Sequence, residues 1–200
     1  MSRIVQAAPI VLVLGLILAG CESAGISATD DPNVKLAQAE TLRAEAGRIM
    51  QARRMTEQAI ALFEQRSDKA GLARAYREYG LVALDGGLGD NPVIQRQPES
   101  ARHPRPGDLD SAEANLKRAL DLATETSQLY IAANVNFLLG NVEVMRGKPE
   151  IACPFYDLSI KGFRDAKTRQ PGTTLDLPAG LDDPTTILGR AKKEAGCASA

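Results

Sequence analysis

The residues of this 200-residue sequence that are best suited to chemistry are three cysteines and a single histidine. The histidine, His103, lies in the proline-rich stretch RHPRP. We expect a solvated loop there, without the burial or the second ligand that a metal site or a catalytic triad requires. Asp182 and Asp183 could suggest a metal pair, but adjacent acids directly before Pro184 are typical of a helix N-terminus. The sequence therefore predicts no catalytic residue, no metal site and no cofactor, and we expect that the protein is not an enzyme.

The first cysteine, Cys21, ends an apolar N-terminal segment. Arg3 precedes an uncharged stretch over residues 7–20, which is shorter than the ~20 residues that a transmembrane helix needs. A basic residue, an apolar run and small residues in this order are typical of a secretory signal peptide. The tetrapeptide LAGC that ends at Cys21 resembles the lipobox of bacterial lipoproteins. The resemblance implies that residues 1–20 are removed and that Cys21 becomes an acylated N-terminus, which anchors the mature protein to a membrane.

The residues after Cys21 bear on location. Glu22 stands where the enterobacterial sorting rule associates Asp with inner-membrane retention. The resemblance therefore implies a cell-envelope protein at the outer membrane, facing the periplasm. Residues 21–32 are small and polar after the cysteine, and we expect them to form a flexible tether.

The charge of the mature chain limits its partners. Without residues 1–20 it carries 23 basic and 25 acidic side chains, and a net charge near −2 argues against nucleic acid as a partner. No block of like charges along the sequence suggests a surface for anionic lipid or another polyanion.

Two cysteines, Cys153 and Cys197, remain when Cys21 is acylated. An even number of cysteines in an oxidising compartment allows one bridge. We therefore predict a disulfide between Cys153 and Cys197, which would tie the C-terminal helix to the preceding helices.

Helical patterns dominate the rest of the chain. Residues 34–65 are rich in Ala, Leu, Glu, Gln and Arg, which are strong helix formers, and no proline interrupts them. Similar patterns recur at about 70–87, 110–125, 128–146 and 149–165. No alternating run of β-branched residues predicts a strand. The sequence predicts an all-α fold.

Three glycines, Gly47, Gly80 and Gly140, lie inside these patterns, although glycine in a helix interior costs up to about 1 kcal/mol relative to alanine. The spacing from Gly47 to Gly80 is close to the ~34-residue period of tetratricopeptide (TPR) repeats. A small and a large residue follow the first and third glycines at identical spacing: Ala59 and Phe63, and Ala152 and Tyr156. The pattern resembles TPR repeats. The resemblance implies a solenoid of about three degenerate repeats over residues 33–165.

The second repeat is interrupted. Its small and large residues, Ala112, Leu116 and Ala119, arrive later than the repeat spacing requires, after a segment at 88–109 with four prolines and two glycines. Loops of this length are usually functional or disordered. We predict a Pro-rich insertion that is mobile in the isolated protein.

The C-terminal part, residues 166–200, is predicted to contain a turn-rich connection and one helix. Asp182, Asp183 and Pro184 favour a helix start, and Gly196 favours its end. Four apolar residues share one face of this helix: Ile187, Leu188, Ala191 and Ala195. We expect the helix to cover the last repeat.

The resemblance to TPR repeats also implies a binding surface, because the first helices of stacked repeats line a concave face. Counting from the three glycines places five polar residues there: Arg48, Arg74, Arg77, Asn134 and Asn141. The arrangement is similar to that of repeat domains that clamp carboxylates, and it implies a protein or peptide partner with an acidic segment or a free C-terminus. The alternative is that the arginines are ordinary solvated helix residues.

These patterns favour a membrane-anchored TPR-like lipoprotein that acts as a protein–protein interaction adaptor or scaffold in the bacterial cell envelope. The alternative is a structural accessory or pilot-type lipoprotein that stabilises a larger assembly and has no free peptide-binding activity. Homo-oligomerisation is left open by the sequence.

Overall fold

The computed structural model describes residues 29–45, 47–89, 106–171 and 183–197. Within these ranges the chain forms helices and no strand, so the all-α prediction is confirmed there. The helices are α1 (Pro32–Ala44), α2 (Ile49–Gln65), α3 (Lys69–Gly89), α4 (Pro106–Glu125), α5 (Leu129–Met145), α6 (Pro149–Arg169) and α7 (Pro184–Glu194). None of the described helices combines the length and apolar character needed to cross a membrane.

Two of the helix starts follow directly from sequence. Asp31 precedes Pro32, and its carboxylate accepts a hydrogen bond from the backbone N–H of Asn33 at 2.9 Å. At α7 the carboxylate of Asp183 accepts from the backbone N–H of Thr185 at 3.0 Å. Each acid satisfies an amide that the first helical turn leaves without a partner. The predicted start of α7 at Asp183 and Pro184 is thus confirmed.

The helices pack as three successive hairpins, α1–α2, α3–α4 and α5–α6. The first helices of neighbouring hairpins also touch, α1 against α3 and α3 against α5. The central core lies among α3, α4 and α5 and includes Leu109, Leu116, Leu139 and Val142. At the C-terminal end, Leu188 of α7 is buried against Tyr156, Phe163 and Ala133.

Glycine explains how closely two of these hairpins pack. A Cβ atom added at Gly80 would lie 2.7 Å from Cγ of Leu116, and one at Gly140 would lie 2.5 Å from Cε1 of Tyr156. Both glycines are inside helices, as predicted, and each allows the second helix of its own hairpin to approach.

Gly47 does not fit this pattern, and its predicted place inside a helix is wrong. It lies in the turn between α1 and α2 with φ +77, and no atom lies within 4 Å of an added Cβ. Glycine is favoured there because L side chains rarely adopt a left-handed backbone. The helical pattern predicted over residues 34–65 is therefore two helices.

Two turns between helices recur at the same interval as two of the glycines. Ser67, between α2 and α3, and Ser127, between α4 and α5, both have positive φ, 54 and 57. The interval from Ser67 to Ser127 equals the interval from Gly80 to Gly140. The same shift relates Ala59 to the buried Ala119 rather than to Ala112. The structure therefore aligns the first and second hairpins in a different register from the one that Gly47 predicted.

The predicted insertion at 88–109 is shorter in the structure. α3 continues to Gly89, and α4 begins at Pro106, where proline is favoured because the first helical N–H needs no partner. Residues 90–105, which include His103, lie outside the described ranges, and so does the prediction of mobility there.

We expect the substitution Gly140→Ala to lower the free energy of unfolding by about 1–3 kcal/mol, because the new methyl group would overlap the ring of Tyr156. Gly189→Ala in α7 is the matched control, because nothing lies within 4 Å of its added Cβ. That change should raise stability by up to about 1 kcal/mol, as alanine is the better helix former. Urea denaturation followed by circular dichroism measures both, and similar effects at the two sites would contradict the close-approach explanation.

Candidate binding surface

Two of the predicted binding residues, Arg74 and Arg77, lie on α3 and face α1. Nη2 of Arg74 donates to Oδ1 of Asn33 at 2.8 Å, and its guanidinium lies 5.7 Å from the ring centroid of Phe63. Nη2 of Arg77 lies 3.7 Å from Oε1 of Glu40. Both arginines therefore hold α1 against α3, and a carboxylate ligand would compete with these contacts.

Arg48 is not part of the same surface. It precedes α2, and its Nη1 lies 2.8 Å from Oε2 of Glu45. α1 has 13 residues and is about 20 Å long, so Arg48 lies near the opposite end of α1 from Asn33, the partner of Arg74. Arg48 instead borders a cavity of about 200 Å³ on α1, which is lined by Val34, Ala37, Gln38, Thr41, Leu42, Glu45 and Arg48.

The other two predicted residues, Asn134 and Asn141, share a face of α5. Both are partly exposed, and Oδ1 of Asn141 accepts a hydrogen bond from the hydroxyl of Tyr156 at 2.9 Å. Met145 lies one helical turn beyond Asn141 and therefore on the same face, with Val144 beside it. The exposed fractions of Met145 and Val144 are 45% and 39%. We name this surface, defined by Asn134, Asn141, Val144 and Met145, the α5 face.

Sequence reasoning missed the apolar part of the α5 face. The last hairpin holds four of the large exposed hydrophobic residues of the described chain: Val144, Met145, Ile151 and Leu158. Contiguous exposed apolar side chains are typical of association surfaces, and Val144 and Met145 are adjacent on α5. The apolar residues of the sequence VEVM after Asn141 were the available signal of this surface, but such a sequence is equally typical of the buried end of a helix.

A partly buried ionic cluster links α1 to α3 beside Arg77. Nε of Arg43 lies 2.6 Å from Oε1 of Glu78, and its Nη1 lies 2.9 Å from Oδ2 of Asp85. Glu78 is fully buried, and its second oxygen, Oε2, has no hydrogen-bond partner within the described structure. The sequence analysis gave no role to Arg43 or Glu78.

Burial raises the pKa of the Glu78 carboxyl to about 7, and the nearby Arg43 guanidinium limits the rise. The folded protein therefore holds a proton at Glu78 more firmly than an unfolded chain, in which the value is 4.5. By linkage, this group favours the folded state most below pH 4.5, and that contribution is lost as the pH rises through about 7.

The remaining predicted sites divide between described and undescribed residues. Cys153 and Cys197 form a disulfide, with their Cα atoms 5.6 Å apart. Cys21 lies outside the described residues. Asp183 caps α7, and Asp182 lies outside the described residues. Among the described residues there is no group of three His, Cys, Asp or Glu side chains that could hold a metal ion.

Comparison with known proteins adds little to this geometry. No family model matches the chain. The gamma-glutamyl phosphate reductase of Prochlorococcus marinus (strain MIT 9303) is 29% identical over 133 residues, which cover 63% of this chain. The match spans only 28% of the length of that reductase. This similarity does not establish a family for the chain.

Proposed function

We propose that the protein is a lipid-anchored, TPR-like adaptor that binds a protein partner in the bacterial cell envelope, at the periplasmic side of the outer membrane. The observation that carries the proposal is the α5 face, where two amides adjoin two exposed apolar side chains on a first helix of stacked hairpins. Such a mixture supplies apolar contact area together with hydrogen bonds that orient a ligand. The repeated turns at Ser67 and Ser127 and the buried glycines support the TPR-like part.

The chemistry of the partner differs from a simple carboxylate clamp. Arg74 and Arg77 are engaged by Asn33 and Glu40, so an acidic segment or C-terminal carboxylate must displace these contacts. Asn134 and Asn141 need no such exchange with an ionic group. We therefore place the apolar contacts of the partner at the α5 face and any acidic group beside Arg77.

A photo-crosslinking residue tests the α5 face directly. Placed at Met145 in the full chain in native envelopes, it should give one discrete adduct with a protein partner. Met50 of α2 is the matched control, because it is a methionine with 49% of its surface exposed. We also expect Met145→Ala to weaken capture by about 1–3 kcal/mol, the contribution of burying such a side chain, while Met50→Ala leaves it unchanged. Adducts from position 50 alone, or equal adducts from both, would place the docking site elsewhere.

The anchor has its own test. Cys21→Ala should abolish acylation and processing, because the thiol is the acylated atom in the lipobox resemblance, and the protein should lose stable attachment to membranes. Intact-mass analysis of protein from the native host, together with membrane fractionation, measures both effects. Cys197→Ser is a suitable control, because it changes a cysteine without touching the LAGC sequence. An unmodified Cys21 in the native protein would refute the anchor without bearing on the α5 face.

Two other functions remain as competing proposals. A structural accessory lipoprotein would be unstable without its assembly, whereas an adaptor should be stable when purified alone and retain an accessible α5 face. The similarity to a gamma-glutamyl phosphate reductase favours an enzymatic alternative, although it covers only a minor part of that protein. Incubating the purified chain with gamma-glutamyl phosphate and a panel of reduced cofactors tests it, and we expect no turnover.

A further inference from the structure

Helix α7 packs along α6, and the contacts show that the two helices run in opposite directions. Leu188, near the start of α7, lies in the same buried cluster as Phe163. Further along α7, Nζ of Lys192 lies 2.5 Å from Oδ1 of Asp157, which is earlier in α6. The disulfide follows just beyond the end of α7. These contacts hold α7 to α6 at successive points along its length.

The non-covalent contacts of α7 are few. Within its described length α7 buries one residue, Leu188, whereas α1, α2, α5 and α6 each bury between four and seven. The side chain of Asp157 is 58% exposed, and ion pairs that are open to solvent contribute little to stability. Isolated helices shorter than about 12 residues are marginal in water, and α7 has 11 residues. The disulfide is therefore the strongest single connection between α7 and α6.

The disulfide can be reached from solvent. Cys153 and Cys197 are both partly exposed, and their neighbours Pro154 and Gly196 are exposed. The position of Cys197 depends on the end of α7. Gly196 has φ +71, and the backbone N–H of Cys197 donates to the carbonyl oxygen of Lys192 at 2.9 Å. A reductant can therefore approach the bond, and Cys197 leaves α6 together with the last turn of α7.

The surface beneath α7 is apolar. Leu188 is buried against Ala133, Tyr156 and Phe163, and the ring centroid of Tyr130 lies 6.3 Å from that of Phe163. We name Ala133, Tyr156 and Phe163 the α7 site. Without α7, these side chains would be exposed at the C-terminal end of the stacked hairpins.

We propose that the disulfide between Cys153 and Cys197 is a redox switch, whose reduction releases α7 and uncovers the α7 site. In the oxidised protein the bond holds α7 against α6. In the reduced protein the remaining contacts must offset the entropy of closing the connection at residues 170–183. We expect α7 to open locally while the three hairpins stay folded. The proposal goes beyond the adaptor function and requires neither the anchor nor the α5 face.

The reductant in this proposal is a dithiol. One of its thiolates attacks a sulfur of the bridge, which gives a mixed disulfide and frees the other cysteine of the protein. The second thiolate of the reductant then displaces the remaining protein sulfur. Cys153 and Cys197 thus take up two electrons and two protons, and the two thiols of the reductant become a disulfide.

Reduction under native conditions tests access to the bond. The chain from residue 21 onward is used with Cys21→Ser, so that Cys153 and Cys197 are its only cysteines. We expect about 1 mM dithiothreitol, without denaturant, to allow alkylation of both within about one hour. Intact mass after iodoacetamide treatment measures this. If reduction requires a denaturant, the bond is a permanent structural link and the proposal is wrong.

Hydrogen exchange tests the release of α7. After reduction, the amides of α7 should exchange at least about tenfold faster, whereas those of α2 and α5 should change by less than about twofold. The double variant Cys153→Ser with Cys197→Ser should show the same pattern without reductant and should not respond to dithiothreitol. Reoxidation of the parent protein should restore the protection of α7.

Dye binding tests whether the α7 site is uncovered. Reduction should raise the fluorescence of 8-anilinonaphthalene-1-sulfonate at least about threefold, because this dye binds exposed apolar surface. The double variant should give the higher value with and without reductant. Equal fluorescence of the oxidised and reduced proteins would contradict the uncovering of the site.

Two exchange patterns would also overturn the proposal. Unchanged protection of α7 after reduction would show that its non-covalent contacts are sufficient. Equal acceleration in α2, α5 and α7 would show that the disulfide supports the whole fold and is not a local switch. Failure of the Cys21 anchor or of the α5 face leaves these measurements unaffected, so the hypotheses fail separately.

Discussion

Replacing Arg43 by methionine should lower the free energy of unfolding by about 3–5 kcal/mol at pH 8, the usual cost of leaving a buried charge without its partner. Glu78 is fully buried, and Arg43 is the only described cation within salt-bridge distance of its carboxylate. Methionine fills a similar volume but cannot donate a hydrogen bond. Urea denaturation at pH 8, followed by circular dichroism, measures the loss.

The pH dependence gives this prediction its control. The pKa of Glu78 is already raised to about 7 with Arg43 present, and removing the guanidinium should raise it further. At pH 5 the carboxyl of the Arg43→Met protein is therefore protonated, and the loss should be clearly smaller than at pH 8. Glu78→Gln should abolish most of the difference between the two pH values. An Arg43→Met effect of equal size at pH 5 and pH 8 would show that Glu78 is not the group responsible.

Removing the disulfide should have an effect of comparable size. Cys153 and Cys197 are 44 residues apart, and closing a loop of that length stabilises a protein by about 4 kcal/mol in the chain-entropy model. We expect Cys197→Ser to reduce the unfolding free energy by up to this amount. The measured loss should be smaller if α7 separates locally, since Leu188 and the Lys192–Asp157 pair would then be lost before the remaining helices.

Reduction provides the control for the disulfide. Dithiothreitol should destabilise the parent protein as much as Cys197→Ser does and should not affect the variant. Thermal unfolding with and without the reductant measures this. Two titratable thiols from Cys153 and Cys197 in the denatured, unreduced protein would contradict the bridge.

Local signals in the sequence were sufficient for several elements. Asp183 and Pro184 start α7 because a cap and a fixed φ act within one turn, whatever the helix packs against. Gly80 and Gly140 were placed correctly because each replaces a side chain at a helix contact. Gly47 was misplaced because a glycine that ends a helix and one that permits close packing look alike in a helix-forming sequence.

The binding surface was less accessible to sequence reasoning because it depends on which helices are neighbours. From the sequence, Arg74 and Arg77 are expected to be exposed on their helix. The contact between α1 and α3 shows instead that Arg74 is hydrogen-bonded to Asn33 and that Arg77 lies beside Glu40. The pairing of Arg43 with Glu78 spans 35 residues and has no local signature. Asn134 and Asn141 share a face of α5 as expected, because their relative position depends only on the period of one helix.

The contact between α1 and α3 also determines how the protein would respond to mechanical force. A protein held at Cys21 and pulled by a partner on the α5 face would carry the load through α1, the first helix after the tether. Arg43, Arg74 and Arg77 join α1 to α3 through ion pairs and hydrogen bonds, in addition to the buried apolar residues of the two helices. α6 and α7 are also joined covalently. Under tension α1 should therefore detach before the disulfide-linked α6 and α7 separate. The released chain would lengthen the connection to the membrane while the helices that carry the partner stay folded.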